Sequence, residues 1–207
     1  MIKTPKNYVP QIARVTEKTL AEAGELFAYR KPVEIVIFSS IPDFVIPELG
    51  IGAHATIQGD VVVNIDFSRR DIKHIIQKEL SPTLYHEFSH VVRASIYRDL
   101  YATLSESLIT EGIASYIERK IFRKKIPYIE PIKNERKYWL QARKNMKKKP
   151  YNHSEWFFGY GKLPRWIGYR LGYLLVESFM KRQKNRTLAQ LVRTKSNEIF
   201  AEAKISS

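Results

Sequence analysis

No cysteine occurs anywhere in the 207 residues. Disulfide bonds, thiolate metal sites and a cysteine nucleophile are therefore excluded. A cysteine-free chain fits a reducing compartment, and the cytoplasm is the expected location. The opening stretch MIKTPKNYVPQIARVTEK holds no long apolar run, so no secretory signal is expected. Nowhere does the chain approach the roughly 20 consecutive apolar residues that span a bilayer. Internal repeats, low-complexity tracts and linker-like segments are missing too. One domain covering residues 1–207 is the expected organisation.

Acidic residues are scarce as well. Asp and Glu number 21 against 35 Lys and Arg, a formal net charge of +14. The excess is clumped in residues 119–125 and 133–149. Clumps on separate helix faces and turns read most simply as a solvated basic surface. An anionic neighbour (nucleic acid, a membrane face or an acidic substrate) is the other reading. With 44% hydrophobic residues the chain can bury a sizeable core.

Hydrophobic spacing predicts the elements. Ile12, Val15, Thr19, Ala23, Leu26 and Phe27 recur at helical intervals over residues 10–29. The β-branched run VEIVIF, residues 33–38, predicts a strand, followed by a loop over 39–50. Apolar runs at 53–57 and 61–65 flank Gln58-Gly59-Asp60 and predict a β-hairpin. Asp71 is the expected cap of a helix reaching about residue 80. Ser81 as N-cap and Pro82 at the first position then restart a helix to about residue 97. A long helix is expected over about 104–122, a basic one from Pro131 to before Pro150, and an aromatic loop over 151–165. Helices over 166–181 and 188–203 complete the chain. A helix and small sheet (about 10–70), two central helices (about 82–122) and a C-terminal helical part (about 131–203) make an α+β, mostly helical arrangement.

Residues 86–90 read HEFSH, an H-E-x-x-H pattern. On a helix, positions four apart share a face, so His86 and His90 can both aim an imidazole at one ion. Glu87 lies beside them, angled so that its carboxylate can reach a water without being a ligand. Leu84, Phe88, Val91, Val92 and Ile96 supply the apolar positions of this helix. A third histidine ligand at position 93 or 96 is excluded, because Arg93 and Ile96 stand there. The inverted H-x-x-E-H order is absent.

A carboxylate on the next helix is left as third ligand. Glu111, in SLITEGIASYIE, is the expected one, with Gly112, Ala114 and Ser115 small enough for the two helices to pack closely. Glu106 and Glu118 compete for the role. Glu106 sits near the helix start, where it favours the dipole. Glu118 precedes Arg119 and Lys120 and reads as solvent-facing. Two histidines and one carboxylate leave a fourth tetrahedral position open, as a catalytic zinc site requires.

The segments HEFSHVVR, LSESLITEGIASYIE, WFFG and PRWIGYRLGYLLVESFM resemble the YjaZ-type family of zinc-dependent proteases, over roughly residues 47–190. The family is gluzincin-like, pairing HExxH with a downstream glutamate in an EGxA segment. The resemblance implies a zincin-like peptidase domain, with the small mixed or antiparallel sheet packed on the active-site helix. It implies one Zn2+ per chain on His86, His90 and Glu111, with Glu87 as the catalytic base and a peptide or protein as substrate.

In such a site the ion would lower the pKa of a bound water toward about 7. Glu87 would take the proton and pass it to the leaving amine. A further donor to the oxyanion is expected from outside the ligand helices. Tyr169 is the first candidate, with Tyr173, one turn on, as its alternative; Arg170 and His153 are also considered. Substrate backbone is expected to add to an edge strand, with Gly52, Ala53, His54 and Ala55 as the docking residues. Asp60 and Asp66 read as turn and strand-end residues. Two other classes compete: a basic nucleic-acid-binding protein using 133–149 with Tyr138, Trp139, Tyr151 and Trp156, and a catalytically silent zinc-binding regulatory domain.

Overall fold

The computed structural model describes residues 6–39 and 44–203. The chain divides between Ser95 and Ile96 into two compact units. Among the described residues no helix is long and apolar enough to cross a membrane. The class is α+β: mostly helical, with one small three-stranded mixed sheet.

The first unit opens with helix α1 (Val9–Leu26), which buries Ile12, Thr16, Thr19 and Ala23 along one face. Strands β1 (Ile35–Ser39), β2 (Ile51–Ala55) and β3 (Val61–Ile65) form the sheet in the order β1-β3-β2. β3 is central, parallel to β1 and antiparallel to β2. Its period-two pattern buries Val61, Val63 and Ile65, each worth about 1.5–3 kcal/mol against exposure. The expected hairpin is present with a shifted boundary. β2 ends at Ala55, and Ile57 lies 96% exposed in a turn where Gly59 takes φ +95°. Residues 40–43, within the expected loop, lie outside the described part.

The helix that follows differs from expectation. Ser81 does not cap a new helix. A helical turn α2 (Ile72–His74), a π-turn (Ile75–Glu79) and helix α3 (Leu80–Ala94) run on without a break. Pro82 explains the π-turn. Its ring has no N–H to donate and would clash with the carbonyl four residues back, at Lys78. Widening the ladder over 75–79 accommodates both defects while the helix continues. Freed from capping, the Ser81 hydroxyl pairs with the Thr19 hydroxyl of α1 at 2.5 Å. Phe27 stacks on Phe88 at 6.1 Å, and α3 lies against α1, β2 and β3.

The second unit is helical. α4 (Leu104–Phe122) is capped by Thr103, whose hydroxyl accepts from the Glu106 amide at 3.3 Å. α7 (Ile167–Arg182) crosses it at two glycines. A Cβ on Gly112 would overlap the Gly172 carbonyl, and one on Gly172 would overlap the Leu108 carbonyl. Gly112 thus serves the α4–α7 crossing, a use the sequence reading did not foresee. Between them lie α5 (Glu135–Asn145) and α6 (His153–Phe158), the latter inside the segment expected to be a loop. Asn152 caps α6 by accepting from the Glu155 amide at 3.1 Å. The expected final helix is two, α8 (Leu188–Val192) and α9 (Ser196–Glu202). The break frees Ser196, whose hydroxyl donates to Glu106 Oε2 at 2.5 Å.

Candidate metal centre

α3 carries the histidine pair. Residues 84–93 are buried without exception. His86 and His90, one helical turn apart, have ring centroids 5.0 Å from each other and planes 70° apart. A ligating nitrogen of one lies within 4.8 Å of one on the other, close enough for a common ion. The Ser89 hydroxyl between them donates to the His86 carbonyl at 2.7 Å, which removes it as a competitor for the imidazoles.

Glu87 is 6% exposed. Among the described residues its carboxylate has neither a hydrogen-bond nor an ion-pair partner. Its oxygens are absent from the sealed, unpartnered polar atoms, so water still reaches the carboxylate.

In the second unit Glu111 sits on α4, 5% exposed. The Tyr101 hydroxyl, in the loop before α4, donates to its Oε1 at 3.1 Å. Two side chains of the adjoining segment carry the cluster on. Tyr151 hydroxyl pairs with the Ser107 hydroxyl, one turn before Glu111, and with His153 Nδ1 at 2.9 Å. The His153 ring stacks on Phe157 at 4.5 Å, and Tyr101 meets its face edge-on at 5.9 Å. Burial pushes the His153 pKa below the ordinary histidine value, and the Glu111 charge only partly opposes this. Burial likewise raises Tyr151, against the lowering effect of the Ser107 hydrogen bond. Nε2 of His153 has no partner among the described residues.

His86, His90 and Glu111 are the group among the described residues that could hold a metal ion, all three buried. Two imidazoles and a carboxylate are a donor set that zinc accepts. The rival acids have other occupations. Glu106 receives Ser196, as above. Glu118 corrects the sequence reading. It is 2% exposed and accepts from the Tyr128 hydroxyl. Seven residues after Glu111 it shares that buried face, and the Arg119 and Lys120 that follow point elsewhere.

The donors proposed for an oxyanion fall in different places. The Tyr173 hydroxyl donates to Glu177 Oε1 at 2.9 Å, and burial followed by that bond pushes its pKa far up. Arg170 binds Glu135 at 2.7 Å and the Ile129 carbonyl at 2.8 Å. Tyr169 packs between Tyr128 and Phe157, edge-on to the ring that carries His153. Tyr101, Ser107 and Tyr151 were not foreseen. Ser107 stands one turn before Glu111 on α4, a spacing that could have flagged it; a loop and a chain return bring Tyr101 and Tyr151 there.

β2 lies at the sheet edge. Its ladder pairs Gly52 with Asn64 and His54 with Val62. The Asp66 amide bonds to the Gly50 carbonyl, so the hydrogen-bonded pairs are the even ones, and Ala53 and Ala55 turn their N–H and C=O outward. Ile51 is already engaged from that side by Ile46 at 3.0 Å, and Gly52 lies under the Phe44 backbone. His54 is exposed. Asp60, beside the β2–β3 turn, accepts from the distant Glu34 amide just before β1, and Asp66 accepts from Ser68 within its own turn.

A family model described as "Predicted Zn-dependent protease (DUF2268)" matches residues 12–201. No curated protein and no solved structure matches the chain.

Proposed function

Because the chain belongs to the predicted Zn-dependent protease family, we propose that it is a gluzincin-like zinc metallopeptidase that hydrolyses peptide bonds. The observation that carries this reading is Glu87: a buried residue whose carboxylate has no partner among the described residues, beside a pair of histidines that share one helix face. A structural metal site has no use for such a group, which argues against a silent regulatory domain.

In this reading His86, His90 and Glu111 hold one Zn2+ per chain. A zinc ion bound there would supply Lewis acidity for activating water and polarising a carbonyl. Glu87 accepts the water's proton at a carboxylate oxygen as the carbon–oxygen bond forms, then returns it to the leaving nitrogen. For the donor to the carbonyl oxygen the cluster around Glu111 favours His153 over Tyr169 and Tyr173. Tyr173 is engaged by Glu177, and Tyr169 backs the Phe157 ring on which His153 rests. With the Tyr151 hydroxyl donating to Nδ1, the proton of neutral His153 resides on Nε2, which can then donate. Ala53 and Ala55 would receive substrate backbone by strand addition, with His54 and Gly52 shaping the flanks. We place the protein in the cytoplasm on composition alone.

Glu87→Gln tests the proposal. The variant should bind about one zinc per chain, like the parent, and lose hydrolysis of a protein substrate such as casein. Hydrolysis that survives the substitution sinks the mechanism.

A further inference from the structure

Outside the centre just described, the strongest unexplained feature is a run of positive charge between α5 and α6. Arg143, Lys144, Lys147, Lys148 and Lys149 place five cations within seven residues. All five are exposed. Among the described residues none of them forms an ion pair or a side-chain hydrogen bond. Glu135, the sole acid between positions 133 and 149, is committed to Arg170.

The run is fastened beside the Glu111 cluster. At one end the Met146 carbonyl accepts from the Ser105 amide, in the first turn of α4, at 3.2 Å. At the other, Tyr151 is tied to Ser107 in the same part of the helix. Lys147, Lys148 and Lys149 are bracketed between these two pins. Glu111 lies four residues, about 6 Å, further along the helix from Ser107. Unneutralised charge held this close to a reaction centre raises the local concentration of anionic reactants.

We propose that this run selects acidic peptide segments, so that the preferred substrates carry Asp or Glu a few residues from the cleaved bond. The inference rests on the peptidase reading above. Nucleic acid is the weaker occupant, because Tyr138, Trp139 and Tyr151 are partly covered and Trp156 is buried, so these four offer no open stacking platform. A membrane is weaker still: Leu140 is the only exposed large apolar side chain of α5.

The test uses the full chain loaded with zinc. The Glu87→Gln form is titrated with a labelled alternating Glu-Ala peptide, its Gln-Ala counterpart, a single-stranded oligonucleotide and phosphatidylserine vesicles. Each titration is repeated at low and high salt. Peptide mixtures are then digested with the parent and with Lys147→Gln/Lys148→Gln/Lys149→Gln. A matched neutralisation of Lys6, Lys18 and Lys31 is the control. The acidic peptide should bind best, and salt should weaken it. The triple variant should lose about tenfold in affinity for it, and the control should lose nothing. Products of the parent should be rich in acid near the cut, and products of the triple variant should not.

Equal binding of the Glu and Gln peptides, or an unchanged triple variant, overturns the proposal. So does an oligonucleotide or vesicle that binds more tightly than the acidic peptide at the same salt. Charge-selective peptide binding with no cleavage by the parent overturns the peptidase reading instead and leaves the surface as a docking site for acidic peptides.

Discussion

Tyr101 donates its hydroxyl hydrogen to Glu111 Oε1 at 3.1 Å. A carboxylate that already receives one bond has its orientation fixed before any ion arrives, and such supports commonly raise metal affinity by about 10- to 100-fold. Tyr101→Phe keeps the ring, which is 44% exposed, and removes only the hydroxyl. Zinc affinity measured by chelator competition should fall by about tenfold or more, while the melting temperature without metal should stay close to the parent value. An unchanged affinity would detach Glu111 from the metal site.

His153 offers a second, independent readout. His153→Phe preserves the stack on Phe157 and abolishes the Nε2 donor. Loss of one oxyanion donor costs about 100-fold or more in kcat, with zinc content unchanged. Tyr151→Phe should produce a smaller loss in the same direction, because it releases the tautomer and leaves the ring in place. If His153→Phe changes KM alone, the histidine positions substrate and another group is the donor.

The α4–α7 crossing is expected to be intolerant. Gly172→Ala drives a methyl into the Leu108 carbonyl, which is backbone and has no rotamer to yield. Overpacking of this kind costs about 1–3 kcal/mol, and a chain of this length loses roughly 2–4 °C of Tm per kcal/mol. Thermal unfolding of the zinc-free protein checks it. A variant as stable as the parent would show that the helices can separate without loss.

Acid stability should depend on Glu177. Burial alone would raise its pKa, but hydrogen bonds from Lys181 and Tyr173 outweigh this and hold it below 4.5. A carboxylate whose pKa is depressed by folding contributes stability above its unfolded value, and that contribution disappears as the pH falls through the folded value. The Tm gap between the parent and Glu177→Gln should therefore be present at neutral pH and close below about pH 4. A gap that does not change with pH would assign the effect to packing.

Local interactions made much of this molecule readable in one dimension. Periodicity located α1, α3, α4 and α7, because a helix buries side chains at intervals that the chain itself displays. Two histidines four apart on a helix share a face whatever surrounds them, so the half of the centre on α3 was legible from spacing. Ser81-Pro82 misled, because the same dipeptide that starts a helix can also sit inside one when a π-turn upstream absorbs the proline. The segment 151–165 misled because its capping by Asn152 is a local event that aromatic-rich composition hides.

The sequence by itself determined the histidine pair four apart, the glutamate beside it and the α+β class, since each depends on neighbours within a turn or a strand. Only the tertiary structure decided what Glu118 and Gly112 do, which tyrosines lie beside Glu111 and His153, and where the basic run is fastened. Apart from the Tyr151–His153 bond, those relations join residues 10 to 60 positions apart. Packing sets such contacts, and no spacing rule along the chain encodes them.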